Sequence, residues 1–501
     1  MGRPWKIFIY YISIMLVFAG MVYTVPANVI SALKSDAGIS KSKVDTTFFV
    51  DDISEADPGV SHSSDTIHKP DSLQNKDTVI SVIHSDVVPV VPDIPYLIFS
   101  DATFRKLQQF FKKAGSAKKD GKTVRILHMG DSQIEGDRIT RFIRESLQER
   151  YGGAGPGIFT VYDPQKLNPS IWLDNYGDWT IYRIFDRKNK LKDNGYGIMG
   201  IVARFKPGTT SGFRFRPSPW AEEKAKKYYK VRLFLGEIKD TIFLSGYTGN
   251  SEIIDDTLYR SKGITEINWE FEDNVPKLKL MFSSASSPVF LGCALDSMAG
   301  IAVDNIALRG QYTPWFHRTN RDLFKTMVSY LDVGLIILQF GTNIIPTNSE
   351  DFRFYRIKME RQLRILKKLA PDCPVILVGT ADAAYLKDGE EVSYEHLPEL
   401  NKAQKEAALN TGAAFFDLYN AMGGEGSIIK WVHGKPPLAI KDYIHFTKEG
   451  GKKVAEIMLK SLYEIVDAGN EDIRQVVRKD TILNEVNEKA DTTQETSKPK
   501  Q

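Results

Sequence analysis

Residues 124–147 read VRILHMGDSQIEGDRITRFIRESL. The first part is largely apolar, which favours a buried strand, and it breaks off at Gly130-Asp131-Ser132. Apolar side chains then recur three and four positions apart, and this spacing predicts a helix. Ser132 therefore stands at a strand-to-helix turn, where its hydroxyl and its backbone N–H face the same space, as an acyl-transfer nucleophile requires. Taken alone, a Gly-Asp-Ser tripeptide usually marks an ordinary turn with a helix N-cap.

Two later segments supply the groups that a nucleophile needs. Residues 333–343 read VGLIILQFGTN, an apolar run typical of a buried parallel strand. Asn343 at its end can donate a side-chain N–H to a developing oxyanion. Residues 441–447 read KDYIHFT. Asp442 and His445, three apart in a turn, can place a carboxylate on one imidazole nitrogen while the other nitrogen faces a serine.

These segments resemble, in their order and approximate spacing, the conserved blocks of the SGNH (GDSL-type) hydrolase superfamily. The resemblance covers residues 120–150 and 300–465. It implies a three-layer α/β sandwich with a central parallel sheet of the flavodoxin-like type. The four blocks are matched by Gly130-Asp131-Ser132, by Gly310 after a predicted strand, by Gly341-Thr342-Asn343 and by Asp442 to His445.

The resemblance implies a catalytic role for each matched residue. Ser132 would attack an ester carbonyl, His445 would take and return its proton, and Asp442 would orient the imidazole. The N–H groups of Ser132 and Gly310 and the side-chain amide of Asn343 would donate to the oxyanion. The pattern implies no cofactor, and no spacing resembles that of a metal site.

Alternatives to these roles remain open in the sequence. His433 is a rival to His445, although only His445 has an aspartate three residues before it. Asp442 could cap its turn while His445 and Ser132 act as a dyad, and Gly310 and Asn343 could be ordinary turn residues. Asp131 is expected to cap or brace the turn rather than to take part in proton transfer. Four further polar residues could shape the pocket or simply pack around it: Arg138, Asp304, Asn305 and Arg309.

Three features indicate the substrate: the polar stretch around the serine, the long insertion and the expected membrane anchor at the amino end. Gln133 stands where the eponymous leucine would be, a departure frequent in branches that act on polar substrates. The resemblance is greatest to the extracytoplasmic branch that acts on O-acetylated peptidoglycan or polysaccharide. We therefore expect an esterase that removes O-acetyl groups from such polymers. A polysaccharide O-acetyltransferase using the same triad and a non-catalytic polysaccharide-binding protein are the alternatives.

Buried strands and amphipathic helices alternate in the two matched regions, which predicts a parallel sheet covered on both faces. Its catalytic groups would gather at the carboxyl ends of the strands. The predicted strands are Val124–Met129, Ile301–Leu308, Val333–Phe340, Pro374–Gly379 and Ala413–Leu418. One helix is predicted to begin near Ile139. The other predicted helices cover Arg318–Leu331, Glu350–Leu369, Leu397–Thr411 and Lys448–Val466.

Between the two matched regions, residues 159–299 show short alternating segments separated by turn residues, which predicts an inserted β-sandwich or jelly-roll domain. Because the insertion follows the nucleophile strand, we expect it on the active-site side. Its aromatic residues could stack on sugar rings or could form the core of the sandwich. The predicted strands are Lys230–Leu235, Asp240–Tyr247, Ile264–Phe271, Leu278–Ser283 and Val289–Leu295, and the aromatics are Trp172, Trp179, Tyr182, Trp220, Tyr247 and Trp269.

The chain has 501 residues, and its 66 basic and 63 acidic side chains leave a net charge of only +3, so charge gives no case for nucleic-acid binding. Residues 7–25 carry no charge and are long enough to span a bilayer. Arg3 and Lys6 predict that the leading side stays cytoplasmic. A signal peptide cleaved after Ala27 is the alternative to an uncleaved anchor. Either way, the catalytic part would lie outside the cytoplasm, on the periplasmic side of the inner membrane.

The remaining segments complete the predicted domain organisation. Residues 1–27 form the anchor, 28–93 a solvated linker, 94–158 and 300–470 the hydrolase core, 159–299 the insertion and 471–501 a polar tail. Cys293 and Cys373 are expected to be two isolated buried thiols rather than a disulfide. The sequence does not indicate an oligomeric state.

Overall fold

The computed structural model describes residues 94–166, 168–346 and 349–467, all of which belong to one compact unit of the chain. The predicted membrane segment and linker lie outside these residues, as does the tail beyond residue 470. Within the described part, no helix combines the length and the apolar character needed to cross a bilayer.

Six strands form the central sheet. Their order is Leu97–Ile98 (β1), Ala414–Phe416 (β19), Val375–Val378 (β16), Val333–Gln339 (β15), Thr123–Gly130 (β2) and Gly300–Ala307 (β14). β2 pairs in parallel with β15 on one side and with β14 on the other, so the three strands that precede the predicted oxyanion donors are neighbours. Five strands run parallel, and β1 adds an antiparallel edge that the expected all-parallel sheet did not include.

Helices cover both faces of this sheet, as the alternating pattern predicted. Side chains that alternate along the strands, such as Leu335 and Ile337, join a core with one set of helices, and the intervening side chains point to the other set. The first set is Asp101–Ala117 (α1), Thr140–Tyr151 (α2) and Lys448–Asp467 (α8); the second is Arg321–Tyr330 (α3), Arg353–Leu369 (α4) and Leu397–Thr411 (α5). Two short helices, Leu418–Met422 (α6) and Ser427–His433 (α7), and a hairpin, Ala384–Lys387 (β17) with Glu390–Ser393 (β18), complete this part of the chain.

Residues 157–296 form two antiparallel sheets. Phe213 and Leu280 of the first sheet share one hydrophobic core with Leu233 and Phe290 of the second. The first sheet has the order Ser251–Leu258 (β10), Ile242–Thr248 (β9), Leu278–Ser283 (β12), Thr210–Pro217 (β7) and Ile171–Tyr176 (β4). The second has the order Thr265–Glu270 (β11), Lys230–Leu235 (β8), Phe290–Asp296 (β13), Ile201–Phe205 (β6) and Trp179–Arg183 (β5), with Gly157–Phe159 (β3) paired to β13.

A buried charge cluster joins the second antiparallel sheet to the central sheet. The Arg125 guanidinium on β2 donates to Asp304 on β14 at 2.6 Å and to Asp296 on β13. Its Nε donates to the carbonyl of Leu331 at 3.1 Å. All three charged side chains are buried, and breaking such a pair by removing one partner typically costs about 3–5 kcal/mol. The cluster therefore ties the inserted strands to the hydrolase core.

The predicted core strands and helices are present with small shifts at their ends. The sequence patterns did not predict the helices α1, α6 and α7, the hairpin of β17 and β18, or the strands β1, β3, β4–β7 and β10. For α1 a signal was available, since Ser100 caps the helix by accepting the N–H of Thr103 at 3.3 Å. Cys293 and Cys373 are both buried and unpaired, as expected.

Candidate active site

The structure brings Ser132, His445 and Asp442 together at the carboxyl end of β2. The Ser132 Oγ lies 2.8 Å from Nε2 of His445, and Nδ1 of His445 lies 2.7 Å from Oδ2 of Asp442. If Nδ1–H donates to the carboxylate, Nε2 is left as the acceptor for the serine hydroxyl. Ser132 is 7% exposed, so the hydroxyl is nearly enclosed yet reachable.

Asp442 also fixes the turn that carries the histidine. Its Oδ1 accepts the backbone N–H groups of Ile444 and His445, both at 3.0 Å. Partial burial alone would raise the pKa of the Asp442 carboxyl. The hydrogen bonds from the imidazole and from these two N–H groups outweigh burial and hold the pKa below its ordinary value. The carboxylate is thus ionised where it can stabilise an imidazolium.

Asp131 connects the nucleophile turn to the Gly-Thr-Asn block. Its carboxylate accepts the N–H groups of Gln133 at 2.9 Å, Gly341 at 3.2 Å and Thr342 at 3.0 Å. Burial raises the pKa of Asp131 to about 6, although these hydrogen bonds favour the ionised form. Asp131 has no hydrogen bond to the histidine and braces the turn, which is the role expected from the sequence.

Gln133 and Arg138 hold the serine turn from two further sides. The amide of Gln133 donates to the carbonyl of Ile444 at 2.6 Å, which joins the serine turn to the histidine turn. The Arg138 guanidinium donates to the carbonyls of Ser132 at 2.9 Å and Gln133 at 3.3 Å. Sequence reasoning noted Gln133 only as a replacement for leucine and missed this contact, because a hydrogen bond between residues so far apart in the chain has no local signal.

Gly310 and Asn343 flank Ser132 because they follow β14 and β15, the two neighbours of β2. Gly310 is exposed and has a φ of +80°, which favours glycine. The Asn343 amide donates one N–H to the carbonyl of Gln311 at 3.1 Å, which holds the turn after Gly310 against the Asn343 side chain. Among the described residues, the second amide N–H of Asn343 has no acceptor, so it is available to a ligand.

The histidine turn has outside support that no sequence pattern indicated. Tyr443 has a φ of +58°, and its hydroxyl donates to Glu391 on β18. Glu391 also binds Nε2 of His433 at 2.8 Å. His433 is thereby engaged away from the serine, so the rival histidine of the sequence does not lie at the site.

The other candidate polar residues take structural positions. Asp304 is buried in the Arg125 cluster. The amide of Asn305 donates to the carbonyl of Ile134 at 2.9 Å and to the hydroxyl of Thr140 at 2.7 Å, behind the serine turn. Arg309 is largely exposed and lies 3.5 Å from Glu135. None of the three contacts the triad side chains.

A cavity of about 440 Å³ opens beside the serine turn. Glu135 and Arg309 contribute to its wall from the hydrolase core, and Trp172, Arg216 and Trp220 contribute from the insertion. Trp172 is 37% and Trp220 is 73% exposed. The apolar floor includes Ile158, Phe159, Ile171, Leu173, Ile201, Ile306 and Ala307.

Trp179, also a candidate for sugar stacking, is a core residue. Its ring packs against Phe205, Phe213 and Phe290, at centroid distances of 5.9, 6.3 and 5.1 Å. Its indole N–H donates to the carbonyl of Tyr176 at 2.9 Å. Of the tryptophans Trp172, Trp179 and Trp220, only the first and the last are therefore in a position to face substrate.

Residues 275–453 match the family described as GDSL-like lipase/acylhydrolase. The matched range includes Gly310, Asn343, Asp442 and His445 and begins after Ser132. No curated protein sequence matches the chain.

Among solved structures, that of a peptidoglycan O-acetylesterase is similar over 75% of this chain and 100% of its own, with 21% identity and a TM-score of 0.57. Two others align at lower similarity. A family two carbohydrate esterase from Cellvibrio japonicus covers 60% of this chain and 98% of its own, with 10% identity and a TM-score of 0.22. A salicylyl-acyltransferase from a tetracycline biosynthetic pathway covers 61% and 96%, with 10% identity and a TM-score of 0.26. The last two likenesses are too low to carry an argument.

Proposed function

We propose that this chain, a GDSL-type hydrolase with the SGNH α/β fold that acts on ester bonds, removes O-acetyl groups from cell-wall or exported polysaccharide. The observation that carries this proposal is the hydrogen-bonded series Ser132–His445–Asp442, set between Gly310 and Asn343 at the ends of adjacent strands. One solved structure that shares the fold is of a peptidoglycan O-acetylesterase, which makes O-acetylated peptidoglycan the first polymer to test.

The proposed reaction has two halves. The Ser132 Oγ attacks the acetyl carbonyl as its proton passes to Nε2 of His445, and the imidazolium then protonates the departing sugar oxygen. Water, deprotonated by the same nitrogen, attacks the acetyl-enzyme, releases acetate and restores the serine. The Asp442 carboxylate stabilises the imidazolium in both halves and holds Nε2 toward the serine.

The negative charge that develops on the carbonyl oxygen needs donors on the side away from the histidine. In this proposal they are the N–H groups of Ser132 and Gly310 and the side-chain N–H of Asn343 that Gln311 does not accept. Loss of one such donor typically lowers turnover by about 10²–10³-fold. The Asn343–Gln311 hydrogen bond supports this assignment, because it fixes the amide beside the turn that contains Gly310.

Polymer recognition is assigned to the inserted strands, which we interpret as a β-sandwich domain of residues 159–299. Its two sheets share one core, and Trp172 and Trp220 reach the cavity beside the serine turn. A polymer laid along this cavity would gain contacts that a small ester does not make. Those contacts can be used for transition-state stabilisation at the scissile ester.

The proposed place of action is outside the cytoplasm, with the uncharged run 7–25 as a membrane anchor and residues 28–93 as a linker. O-acetylated cell-wall polymers occur in that compartment. The membrane is thus a proposed partner through the N-terminal segment, and the polymer is the proposed substrate.

The test is acetate release by the full-length protein from O-acetylated peptidoglycan, compared with cleavage of 4-nitrophenyl acetate. We expect both reactions, and both should be lost in the Ser132→Ala variant. A parallel reaction with 4-nitrophenyl acetate and an oligosaccharide acceptor tests the acyltransferase alternative. Transfer of acetyl to the sugar in preference to water would replace the esterase proposal, and the absence of any turnover would support the non-catalytic binding protein.

A further inference from the structure

The outer face of the β10-β9-β12-β7-β4 sheet carries aromatic and basic side chains. Phe213, Phe215 and Leu280 point into the core, so the residues that alternate with them lie on the opposite face. The strand register places Trp172 opposite Arg216, and Lys279 opposite both Arg214 and Tyr247. This face is only partly buried, so it is open to a ligand.

Cations lie directly over the aromatic rings of this face. The Arg216 guanidinium is 3.9 Å from the ring centroid of Trp172, and the Lys279 ammonium is 4.9 Å from that of Tyr176. In these cation–π contacts the charged group itself lies over the ring, which holds both cations against the sheet. We call Trp172, Tyr176, Arg216 and Lys279 the cationic aromatic face.

The charges on this face are unevenly compensated. Arg214 is paired with Asp174 at 2.6 Å. Arg216 and Lys279, by contrast, have no carboxylate within ion-pair distance in the described ranges. Glu252 and Asp255 are exposed acidic residues, but they lie on β10 at the far edge of the sheet. The half of the sheet nearest β4 therefore presents two cations, Arg216 and Lys279, that have no ion-pair partner among the described residues.

This half of the sheet borders the cavity beside the serine turn. Trp172 and Arg216 line the same cavity as Glu135, three residues after Ser132, and Arg309, which precedes Gly310. A chain of sugars bound to the cationic aromatic face would therefore lie along the cavity wall formed by residues that are neighbours of Ser132 and Gly310 in the sequence.

We propose that the cationic aromatic face binds a glycan strand that carries carboxylates, so that the substrate class is an acidic, O-acetylated polysaccharide. Sugar rings can stack on the exposed part of Trp172, and carboxylates can accept hydrogen bonds from Arg216 and Lys279. A neutral acetylated glycan would leave these cations without an anionic partner. This inference rests on the proposed esterase function and specifies its substrate.

The experiment compares one acidic polymer in two forms. Glycan strands from O-acetylated peptidoglycan, freed of peptides so that their lactyl carboxylates are exposed, are used as they are or after amidation of the carboxylates. We expect the full-length protein to have about a tenfold lower KM for the carboxylate form, and this preference should shrink as salt is added. Equal KM values for the two forms would overturn the proposal.

The double variant Arg216→Gln/Lys279→Gln tests whether the cationic aromatic face causes this preference. It should raise the KM for the carboxylate form about tenfold and have a much smaller effect on the KM for the amidated form, so that the preference for carboxylates is lost. The matched control is Arg260→Gln/Lys239→Gln, which removes the same charge from exposed positions outside the face and the cavity. An equal rise in KM in the control variant would show that net charge causes the effect, and it would contradict the assignment to this face.

Failure of the esterase proposal is distinguishable from failure of this inference. If neither polymer is deacetylated, the esterase proposal fails for this substrate, and titration calorimetry of the same two polymers still tests the face. Tighter binding of the carboxylate form, lost in the double variant, would support the inference. Equal binding of both forms would refute it.

Discussion

At the residue scale, the serine turn is stabilised mainly by groups that take no part in the proposed chemistry. Asp131 accepts N–H groups from both the serine turn and the Gly-Thr-Asn block. Gln133 ties the serine turn to the histidine turn. Ser132, Asn343 and the Asp442–His445 pair could be named from the sequence because each stands in a short block with a chemical reason for its residue type. The hydrogen bonds that connect these blocks could not be predicted from the sequence, since they depend on which loops meet in space.

The first prediction concerns the nucleophile. Replacing Ser132 with alanine should lower esterase activity by at least about 10³-fold, because no other described hydroxyl lies on the imidazole. The free energy of unfolding should change by no more than about 1 kcal/mol, because one partly solvated hydrogen bond is lost. Rates of 4-nitrophenyl acetate cleavage and urea unfolding measure the two quantities. A fluorophosphonate probe should label Ser132 in the wild type, and labelling of another residue would contradict the assignment.

The second prediction concerns the Asp131 carboxyl, whose pKa burial raises to about 6. Since the folded-state pKa lies above the unfolded value, the stability that this group contributes is present in acid and is lost as the pH rises through about 6. An asparagine at this position would not titrate. Compared with the wild type, the Asp131→Asn variant should therefore become less stable by about a further 1 kcal/mol as the pH falls from about 7 to about 5.

Urea unfolding at the two pH values measures this difference, and Asp372→Asn at an exposed position is the control. The comparison between variants is needed because His128 has the opposite effect. Burial lowers the pKa of His128 to about 4, so its contribution is present above the ordinary histidine value and is lost as the pH falls toward about 4. A stability gap between wild type and Asp131→Asn that stays constant with pH would show that Asp131 does not titrate in this range.

At the scale of secondary-structure elements, strand order accounts for the geometry of the site. β14 and β15 flank β2, so the residues after all three strands meet at one edge. Continuous apolar runs made these strands recognisable from the sequence. The order in which the strands pair cannot be predicted from the apolar runs themselves. Helix α1 was not predicted, although Phe104, Leu107 and Phe111 follow a helical spacing.

The third prediction concerns Asn343 at the end of β15. Replacing it with alanine should lower kcat by about 10²–10³-fold, because a donor to the developing oxyanion is lost. The KM for 4-nitrophenyl acetate should change little, since the donor acts mainly in the transition state. Asn268→Ala is the matched control, as Asn268 is an exposed asparagine of the insertion. A near-normal kcat would show that Asn343 holds the turn at Gln311 and does not stabilise the oxyanion.

At the scale of the whole molecule, the insertion and the core are joined by buried charge and share a cavity. Regular alternation predicted the later strands of the insertion, such as Leu278–Ser283. Strands β4–β7 were not predicted, because glycines, prolines and charged residues interrupt the alternation between residues 159 and 217. Exposure could not be predicted either. Trp172 and Trp179 look alike in sequence, yet Trp172 lies on the outer face of its sheet and the ring of Trp179 packs against the core of the insertion.

The fourth prediction concerns the two exposed tryptophans at the cavity. The double variant Trp172→Ala/Trp220→Ala should raise the KM for O-acetylated polymer by about 3- to 10-fold, which corresponds to loss of one or two aromatic contacts. Cleavage of 4-nitrophenyl acetate should be unchanged, because a small ester does not reach these rings. Tyr259→Ala, an exposed aromatic that does not line the cavity, is the control. Equal losses on both substrates would mean that the tryptophans serve folding.

The last prediction concerns the attachment of the molecule to the membrane. Residues 7–25 contain no charge, and a run of this length suffices for a bilayer-spanning helix. With Arg3 and Lys6 retained on the cytoplasmic side, the full-length protein should stay in the membrane fraction after a carbonate wash, with its bulk facing outward. Leu16→Arg places a charge in the middle of this run, which costs roughly 2.5–3.5 kcal/mol for insertion, and should shift protein to the soluble fraction.

Leu386→Arg, at an exposed position of the hydrolase core, is the control for the added charge. Soluble wild-type protein beginning near Asn28 would show cleavage after Ala27 and would remove the anchor while leaving the catalytic proposal intact.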